Sequence, residues 1–215
     1  GGDTNGFSDV FLHDRGTNGT DRVSVGAGGV EANGPSRDPA ISGDGTVVAF
    51  CSSASNLVSG DTNRADDVFV RIAGVTDRVS VSTDGGQGNS HSQDPAISRD
   101  GKLVVFKSYA TNLFAPDTNL KCDIVLRNLE AKTTTLMSVN TSGLQADLDS
   151  VDPAISPDGG FVAFASRATN LTGVDTNGCF DVFLRDRGAS LTRRLSTGFR
   201  VESNGKPIDM ESGCA

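Results

Sequence analysis

Short apolar segments recur along the chain, separated by glycine, proline, asparagine and aspartate. One segment of each group reads VVAFCS, LVVFKS or FVAFAS, and a later one reads DVFVR, DIVLR or DVFLR. Runs of β-branched and aromatic residues such as these are typical of strands that are buried on both faces. No stretch of useful length repeats its apolar residues with the period of a helix. The pattern therefore predicts an all-β protein.

Each group of apolar segments belongs to one copy of a long repeat. The phrase DPAIS-x-DG-x-x-V-x-F-x-S begins at Asp38, Asp94 and Asp152, so successive copies start 56 and 58 residues apart. A fixed period of this kind is the signature of a repeat architecture. Each copy predicts four strands, and the Asp-Gly pair between the first two predicts a tight hairpin. The predicted first strands are Pro39–Ser42, Pro95–Ser98 and Pro153–Ser156, and the predicted fourth strands are Arg78–Val81, Leu136–Val139 and Arg193–Ser196.

The third strand of each repeat carries apolar side chains on both faces. Val68 and Val70 point to one side and Phe69 to the other, because side chains alternate along a strand. Blades that stack face to face bury both sides, so we predict a β-propeller of four-stranded antiparallel blades. Its core should contain the recurring apolar positions Phe50, Phe106, Phe164, Ile41, Ile97, Ile155, Phe69, Phe183 and Val125.

The motif S-x-DG-x-x-[VI]-x-F-x-S occurs at Ser42–Ser52, Ser98–Ser108 and Ser156–Ser166, each time after a proline-containing strand. In this motif the chain resembles the TolB-like propeller repeats of bacterial envelope and secreted proteins. The resemblance implies that PAIS is the innermost strand of each blade and lines a central channel. The period is longer than is usual for that family. The extra residues lie mainly between the second and third strands, in the segment that carries NL and DTN.

The repeats divide a single predicted domain into a half blade, three blades and the start of a further repeat. The ranges are 1–29, 30–86, 87–143, 144–199 and 200–215. About three and a half blades do not close a typical ring. Two explanations stay open: the natural protein is longer, or a neighbouring chain completes the open blade and builds oligomers or fibres. The opening Gly-Gly-Asp in mid-repeat suggests a processed or truncated N-terminus.

Composition narrows the range of partners. The chain has 215 residues and a formal net charge of −8. Nucleic acids and anionic membrane surfaces both attract clustered basic residues, so we expect neither as a partner. No apolar run approaches the roughly 20 residues of a membrane-spanning helix, so we expect no membrane insertion. Spaced acidic groups suit calcium, which prefers oxygen ligands.

Four loops of the form D-T-N-x-x-x-D precede the third strands and are the candidate calcium sites. Each loop has two oxygen-bearing side chains two positions apart and a carboxylate that opens a strand, as calcium loops do. The loops resemble shortened versions of the calcium loops of integrin-type propellers. In the alternative interpretation they are Asx turns, whose side chains satisfy backbone donors without metal. The candidate ligands are Asp3, Asn5, Asp9, Asp61, Asn63, Asp67, Asp117, Asn119, Asp123, Asp175, Asn177 and Asp181.

A second recurring group consists of the aspartates before PAIS, which are Asp38, Asp94 and Asp152. At the mouth of the innermost strands they would form an acidic ring that holds a cation or a polar ligand. Alternatively, an aspartate before proline is a turn at the entry to a strand.

Catalysis finds little support in the sequence. The two histidines are His13 and His91, and only His91 has serines beside it. Adjacent residues do not easily form a catalytic relay, so we predict that the protein is not an enzyme. The cysteines Cys51, Cys122, Cys179 and Cys214 contain no C-x-x-C pair and leave the compartment open.

Three functions follow from this reading. The leading hypothesis is a non-enzymatic, extracytoplasmic propeller, in the periplasm, at the cell surface or secreted, with a structural or binding role. Its partner would be a protein or a glycan, and calcium would stabilise its loops. The second is a self-assembling subunit of a filament or surface layer, completed by copies of itself. The third is a propeller enzyme that acts on glycans or peptides.

Overall fold

The computed structural model describes residues 3–173, 178–196, 199–201 and 207–209. Within these residues no helix is long and apolar enough to cross a membrane. The short 3₁₀ helix covers Ala27–Gly29. The strands are β1 Phe11–Asp14, β2 Gly19–Arg22, β3 Ser36–Ile41, β4 Val47–Ser52, β5 Asp67–Ile72, β6 Val75–Arg78, β7 Ser92–Ile97, β8 Leu103–Ser108, β9 Asp123–Asn128, β10 Thr133–Leu136, β11 Ser150–Ile155, β12 Phe161–Ser166, β13 Asp181–Asp186, β14 Leu191–Arg194, β15 Phe199–Val201 and β16 Pro207–Asp209.

Twelve of these strands form three four-stranded antiparallel sheets, which are the predicted blades. Their orders are β3-β4-β5-β6, β7-β8-β9-β10 and β11-β12-β13-β14. Strands β1 and β2 pair with each other and correspond to the outer two strands of a further blade. Strands β15 and β16 form another pair. The prediction of an all-β propeller with about three and a half blades is confirmed.

Adjacent blades bury their faces against each other. Phe50 and Phe69 stack with their ring centroids 5.8 Å apart and pack against the half blade. On the opposite face of the same sheet, Val68 packs with Phe106 of the next blade. The arrangement recurs between the second and third full blades, around Phe164. Both faces of the central strands β4, β5, β8 and β9 are therefore buried, as the alternation of apolar side chains predicts.

The predicted core is right for the central strands and partly wrong for the innermost ones. The buried members are Phe50, Phe69, Phe106, Val125, Phe164 and Phe183. Ile41 is 51% exposed, whereas Ile97 and Ile155 are partly buried. The isoleucines lie on edge strands, where fewer side chains cover them than in the middle of a sheet.

The predicted strand bounds shift at both edges of each blade. The innermost strand begins earlier than predicted, at Ser36 in the first full blade. The outermost strand of that blade ends at Arg78, where the prediction has it beginning. Val79 and Ser80, which follow Arg78, are still buried, and the N–H of Val79 bonds to the oxygen of Val68 at 2.8 Å. They leave the regular ladder because the chain turns there into the link to the next blade.

The recurring S-x-DG motif forms the hydrogen-bonded turn between the first two strands of each full blade. Ser42 Oγ donates a hydrogen bond to Asp44 Oδ1 at 2.7 Å and accepts one from the N–H of Val47 at 3.0 Å. Gly45 has a φ of +76°, which glycine adopts without strain. Hydrogen bonds from Ser42 and Thr46 lower the pKa of Asp44 to about 2. The same bonds recur in the other blades between Ser98 and Asp100 and between Ser156 and Asp158.

Candidate functional site

The predicted calcium loops lie at the start of the third strands, where their side chains form a hydrogen-bonded network. In the second copy, Asp67 opens β5 and is fully buried. Its Oδ1 accepts a hydrogen bond from Ser80 Oγ at 2.5 Å, and its Oδ2 accepts one from Asn63 Nδ2 at 3.0 Å. The same amide donates to the oxygen of Gly88 at 2.9 Å. The loop thus ties the third strand to the segment after the fourth strand and to the link that follows.

The network recurs in the other copies. In the fourth, Asp181 accepts a hydrogen bond from Ser196 Oγ at 2.5 Å, while Asp175 and Asn177 lie outside the described residues. The equivalent residues, joined by hydrogen bonds of 2.6 to 3.3 Å, are Asn5, Asp9 and Ser24 in the first copy and Asn119, Asp123 and Ser138 in the third.

The loops also make the hydrogen bonds of Asx turns. Asn63 Oδ1 accepts the N–H of Ala65 at 3.0 Å. Asn5 and Asn119 make the same bond to the residue two positions on. In the described part of the chain, no group of three or more histidine, cysteine or carboxylate side chains is arranged to hold a metal ion. Calcium binding by these loops stays a prediction.

An arginine neutralises the carboxylates of most loops. Arg78 Nη1 lies 3.4 Å from Asp61 Oδ1 and 3.4 Å from Asp67 Oδ2. The equivalent pairs are Arg22 with Asp9 at 3.4 Å and Arg194 with Asp181 at 3.2 Å.

The third loop differs because Leu136 stands where the others have arginine. Burial raises the pKa of Asp123 to about 6, against the opposing hydrogen bonds from Ser138 and Gln145. The arginine position was not predicted from the sequence. A signal is present in the sequence, because Arg78 and Arg194 each lie two residues before a serine and Leu136 takes the same position in the other repeat.

The aspartates of the predicted acidic ring lie in β-bulges within the innermost strands. Asp38, Asp94 and Asp152 have φ values of 53°, 53° and 52°, in the left-handed region. The pairing register shifts at each of them. The Asp-Pro step therefore lies inside the strand, whereas the alternative interpretation placed it at the entry. A bulge re-aims a side chain, and here it does so at the same point of three neighbouring strands.

A connected polar surface lies where the innermost strand of one blade meets the preceding blade. Asp66 Oδ2 accepts hydrogen bonds from Arg37 Nη2 at 2.8 Å and Gln93 Nε2 at 2.5 Å. Burial opposes ionisation of Asp66, but the hydrogen bonds from Gln93 and Arg37 lower its pKa. Beside this group, Lys107 Nζ lies 2.6 Å from Asp94 Oδ2. We call this surface the inner rim; it consists of Arg37, Asp66, His91, Gln93, Asp94, Lys107 and Tyr109.

The inner rim is where the blades differ from one another. Tyr109 is 46% exposed, and its N–H bonds to the oxygen of His91 at 2.9 Å. The equivalent residues in the other blades have different chemistry. They are Ser53 and Arg167 for Tyr109, Cys51 and Ala165 for Lys107, Pro35 and Asp149 for His91, and Ser8, Cys122 and Phe180 for Asp66.

Each histidine makes a contact through Nδ1 with a residue of a neighbouring segment. His91 Nδ1 accepts the N–H of Asp66 at 3.0 Å, and the same nitrogen lies 3.4 Å from the Asp66 carboxylate. His13 Nδ1 contacts Thr20 Oγ1 at 2.8 Å, across the exposed β1–β2 hairpin. Both contacts are local links between neighbouring segments.

The described cysteines are in two chemical states. Cys179 forms a disulfide, whereas Cys51 and Cys122 have free thiols. Burial raises the pKa of both free thiols to about 12. A thiol with so high a pKa is a poor nucleophile, because the thiolate is the reactive form.

Comparison with solved structures agrees with this architecture. The chain is similar to the crystal structure of TolB from Acinetobacter baumannii, with a TM-score of 0.51 and 18% identity over 95% of this chain and 43% of that one. For a putative TolB from Agrobacterium tumefaciens the TM-score is 0.54 and the identity 19%, over 88% of this chain and 57% of that one. The fold is that of a TolB-like propeller.

This TolB-like chain spans about half the length of the two TolB structures. It is also similar to a structure from a study of two prolyl endopeptidases, with a TM-score of 0.51 and 17% identity over 90% of this chain and 27% of that one. No family model matches the chain, and no curated protein is significantly similar. At such identities the likeness concerns the fold alone.

Proposed function

We propose that this chain is part of a non-enzymatic, extracytoplasmic β-propeller that binds a protein partner at the inner rim. The proposal rests on the contrast between the DTN loop positions and the inner-rim positions. The loop network around Asp67 recurs in every described blade, whereas the inner-rim positions other than that of Asp94 change side chain from blade to blade. Recurring positions serve the scaffold of a repeat protein, and its extended surfaces serve binding.

The chemistry of the inner rim suits a polypeptide. Arg37 and Lys107 bring positive charge, and Asp66 and Asp94 bring negative charge, within one connected surface. Tyr109 adds a half-exposed aromatic ring. Tyrosine and arginine are enriched among the residues that dominate binding energy at protein interfaces. A peptide segment that carries both charges would match this surface.

Two observations support the other parts of the proposal. His91 and His13 each use Nδ1 for a local contact, with the N–H of Asp66 and with Thr20 Oγ1, and such contacts are consistent with structural roles. The disulfide at Cys179 favours an oxidising compartment outside the cytoplasm, where disulfides form and persist.

A photo-cross-linking experiment tests the proposal. A photoreactive amino acid replaces Tyr109 in the full chain, which is produced in its own cell. The matched control carries it at Lys132, an exposed residue of the β9–β10 hairpin on the outer side of the same blade. We expect a discrete protein adduct from position 109 alone, and its loss when Arg37→Glu and Lys107→Glu are added. Equal labelling at both positions would contradict the proposal. Binding of the chain to a glycan array, without any protein adduct, would also contradict it.

Self-assembly is a second candidate, favoured by the outer face of the blade β11–β14. Val182 is 44% exposed there, whereas the equivalent Val68 and Ile124 are fully buried by a following blade. A second copy would cover this apolar face. Sedimentation over a range of concentrations tests the idea: association that Val182→Glu weakens would support it, and a monomer at all concentrations would rule it out.

A further inference from the structure

The third loop lacks the arginine that reaches the carboxylates of the equivalent loops from the outermost strand. In the blade β3–β6, Arg78 pairs across the strands with Phe69 and reaches the carboxylate of Asp67 at 3.4 Å. In the next blade, Leu136 pairs in the same register with Val125. Within the described part of the chain, no basic side chain forms an ion pair with Asp117 or Asp123. Two carboxylates therefore share this loop without a neutralising partner.

A neutral amide stands between these carboxylates. Gln145 Nε2 donates to Asp117 Oδ1 at 3.0 Å and to Asp123 Oδ2 at 2.8 Å. One nitrogen thus bridges the pair that a guanidinium bridges in the preceding copy. An amide supplies hydrogen bonds but no charge, and Asp123 is only 1% exposed. Burial of ionised carboxylates is costly unless a cation accompanies them.

A separate observation concerns the other oxygen of Asp117. Oδ2 is buried and has no hydrogen-bond partner, and among the described residues it is the one buried side-chain oxygen in that condition. Buried polar atoms of native proteins have partners, and an exception calls for a bound water or ion. The unsatisfied atom belongs to the same loop that lacks the arginine.

We propose that a hard cation binds at Asp117 Oδ2 and the Asp123 carboxylate, beside the Gln145 amide, and supplies the charge that arginine supplies in the equivalent loops. Asp117 Oδ2 and the Asp123 carboxylate would be its protein ligands, and water would complete the oxygen shell that calcium prefers. Two carboxylates are few for calcium, so we expect a dissociation constant of about 10⁻⁴–10⁻³ M, as in extracellular calcium modules. The proposal is independent of partner binding at the inner rim.

Thermal unfolding of the wild-type chain and of Leu136→Arg tests the site. Both are measured with chelator and then with CaCl₂, at pH 8 and constant ionic strength. A ligand that binds only the folded state stabilises it. At a calcium concentration tenfold above the dissociation constant, the melting temperature of the wild type should rise by about 3–6 °C. Leu136→Arg should melt higher than the wild type in chelator and should not respond to calcium.

Equilibrium dialysis with radioactive calcium provides a second measurement. We expect one saturable ion per wild-type chain and none in Leu136→Arg or Asp117→Asn. Asp117→Asn keeps the shape of the side chain, so this variant replaces Leu136→Arg in the experiment if Leu136→Arg does not fold. A wild type that binds no calcium overturns the proposal. An equal response of the wild type and both variants also overturns it, because the ion would then lie elsewhere.

Discussion

Arg78 lies 3.4 Å from a carboxylate oxygen of Asp67, a side chain with no exposure to solvent. The arginine comes from the last residue of an outermost strand and the aspartate from the first residue of the neighbouring strand. Three groups therefore hold the buried charge: a hydroxyl from Ser80, an amide from Asn63 and this guanidinium. The contact therefore connects the DTN loop to the outermost strand of this blade.

Replacement of Arg78 by leucine should destabilise the protein. The change places leucine at the position that Leu136 takes in the next blade, and it leaves Asp67 buried without its arginine partner. Loss of one partner of a buried ion pair costs about 3–5 kcal/mol. Urea unfolding measures the free energy, and Arg78→Lys, which keeps the charge, should recover part of it. A loss below about 1 kcal/mol, the usual value of an exposed pair, would mean that solvent already screens this contact.

The sequence predicts the fold well because the repeat supplies the same information several times. Phe50, Phe106 and Phe164 recur at one position, so a single assignment of register applies to all blades. Ile41 shows the limit of this reasoning, because PAIS is as apolar as a central strand. Exposure at the edge of a sheet depends on neighbours in space, which a local pattern does not contain.

Truncation of Phe106 to alanine should be among the most damaging single changes in the core. The ring is fully buried and packs between two blades, against Val68 and Val125. A cavity at such a site costs about 3–5 kcal/mol. Phe7→Ala is the matched control, since Phe7 is 44% exposed, and it should cost less than about 1 kcal/mol. Chemical unfolding of both variants makes the comparison, and similar losses would contradict the blade packing.

The candidate site shows a sharper division between what sequence does and does not predict. Within the D-x-N-x-x-x-D loop, Asn63 donates to Asp67 at 3.0 Å, and Asp61 and Asp67 each lie 3.4 Å from the same arginine nitrogen. The spacing does not say which way an asparagine amide turns or which distant side chain reaches the carboxylates. Ser80 and Arg78 do so from another strand, through cross-strand pairing that only the assembled sheet defines.

The free thiols should not react with alkylating reagents in the native protein. Cys51 and Cys122 are fully buried, and burial raises the pKa of each to about 12, so the thiolate is scarce near neutral pH. Iodoacetamide labelling followed by peptide mass mapping tests this. Both residues should be modified in denaturant without reductant, and Cys179 only after reduction, because it is in a disulfide. Rapid native labelling of Cys51 or Cys122 would contradict their burial.

Stability should depend on pH through Asp123. Its pKa is raised to about 6 in the folded protein, against about 3.9 for an unperturbed aspartate. Between these values the folded state keeps a proton that the unfolded state has lost, so stability should fall as pH rises from about 4 to 6. A shift of two units corresponds to about 3 kcal/mol.

Other carboxylates titrate in the opposite sense, among them Asp44, whose pKa is lowered to about 2. The informative quantity is therefore the difference in the free energy of unfolding between Leu136→Arg and the wild type, measured by urea unfolding in the presence of chelator. Arginine at this position would lower the pKa of Asp123, so the stability advantage of the variant should grow between about pH 4 and 7. Asp123→Asn, which cannot ionise, should show the same trend relative to the wild type. A difference that stays constant across this range would mean that Asp123 titrates normally and that its burial is compensated in another way.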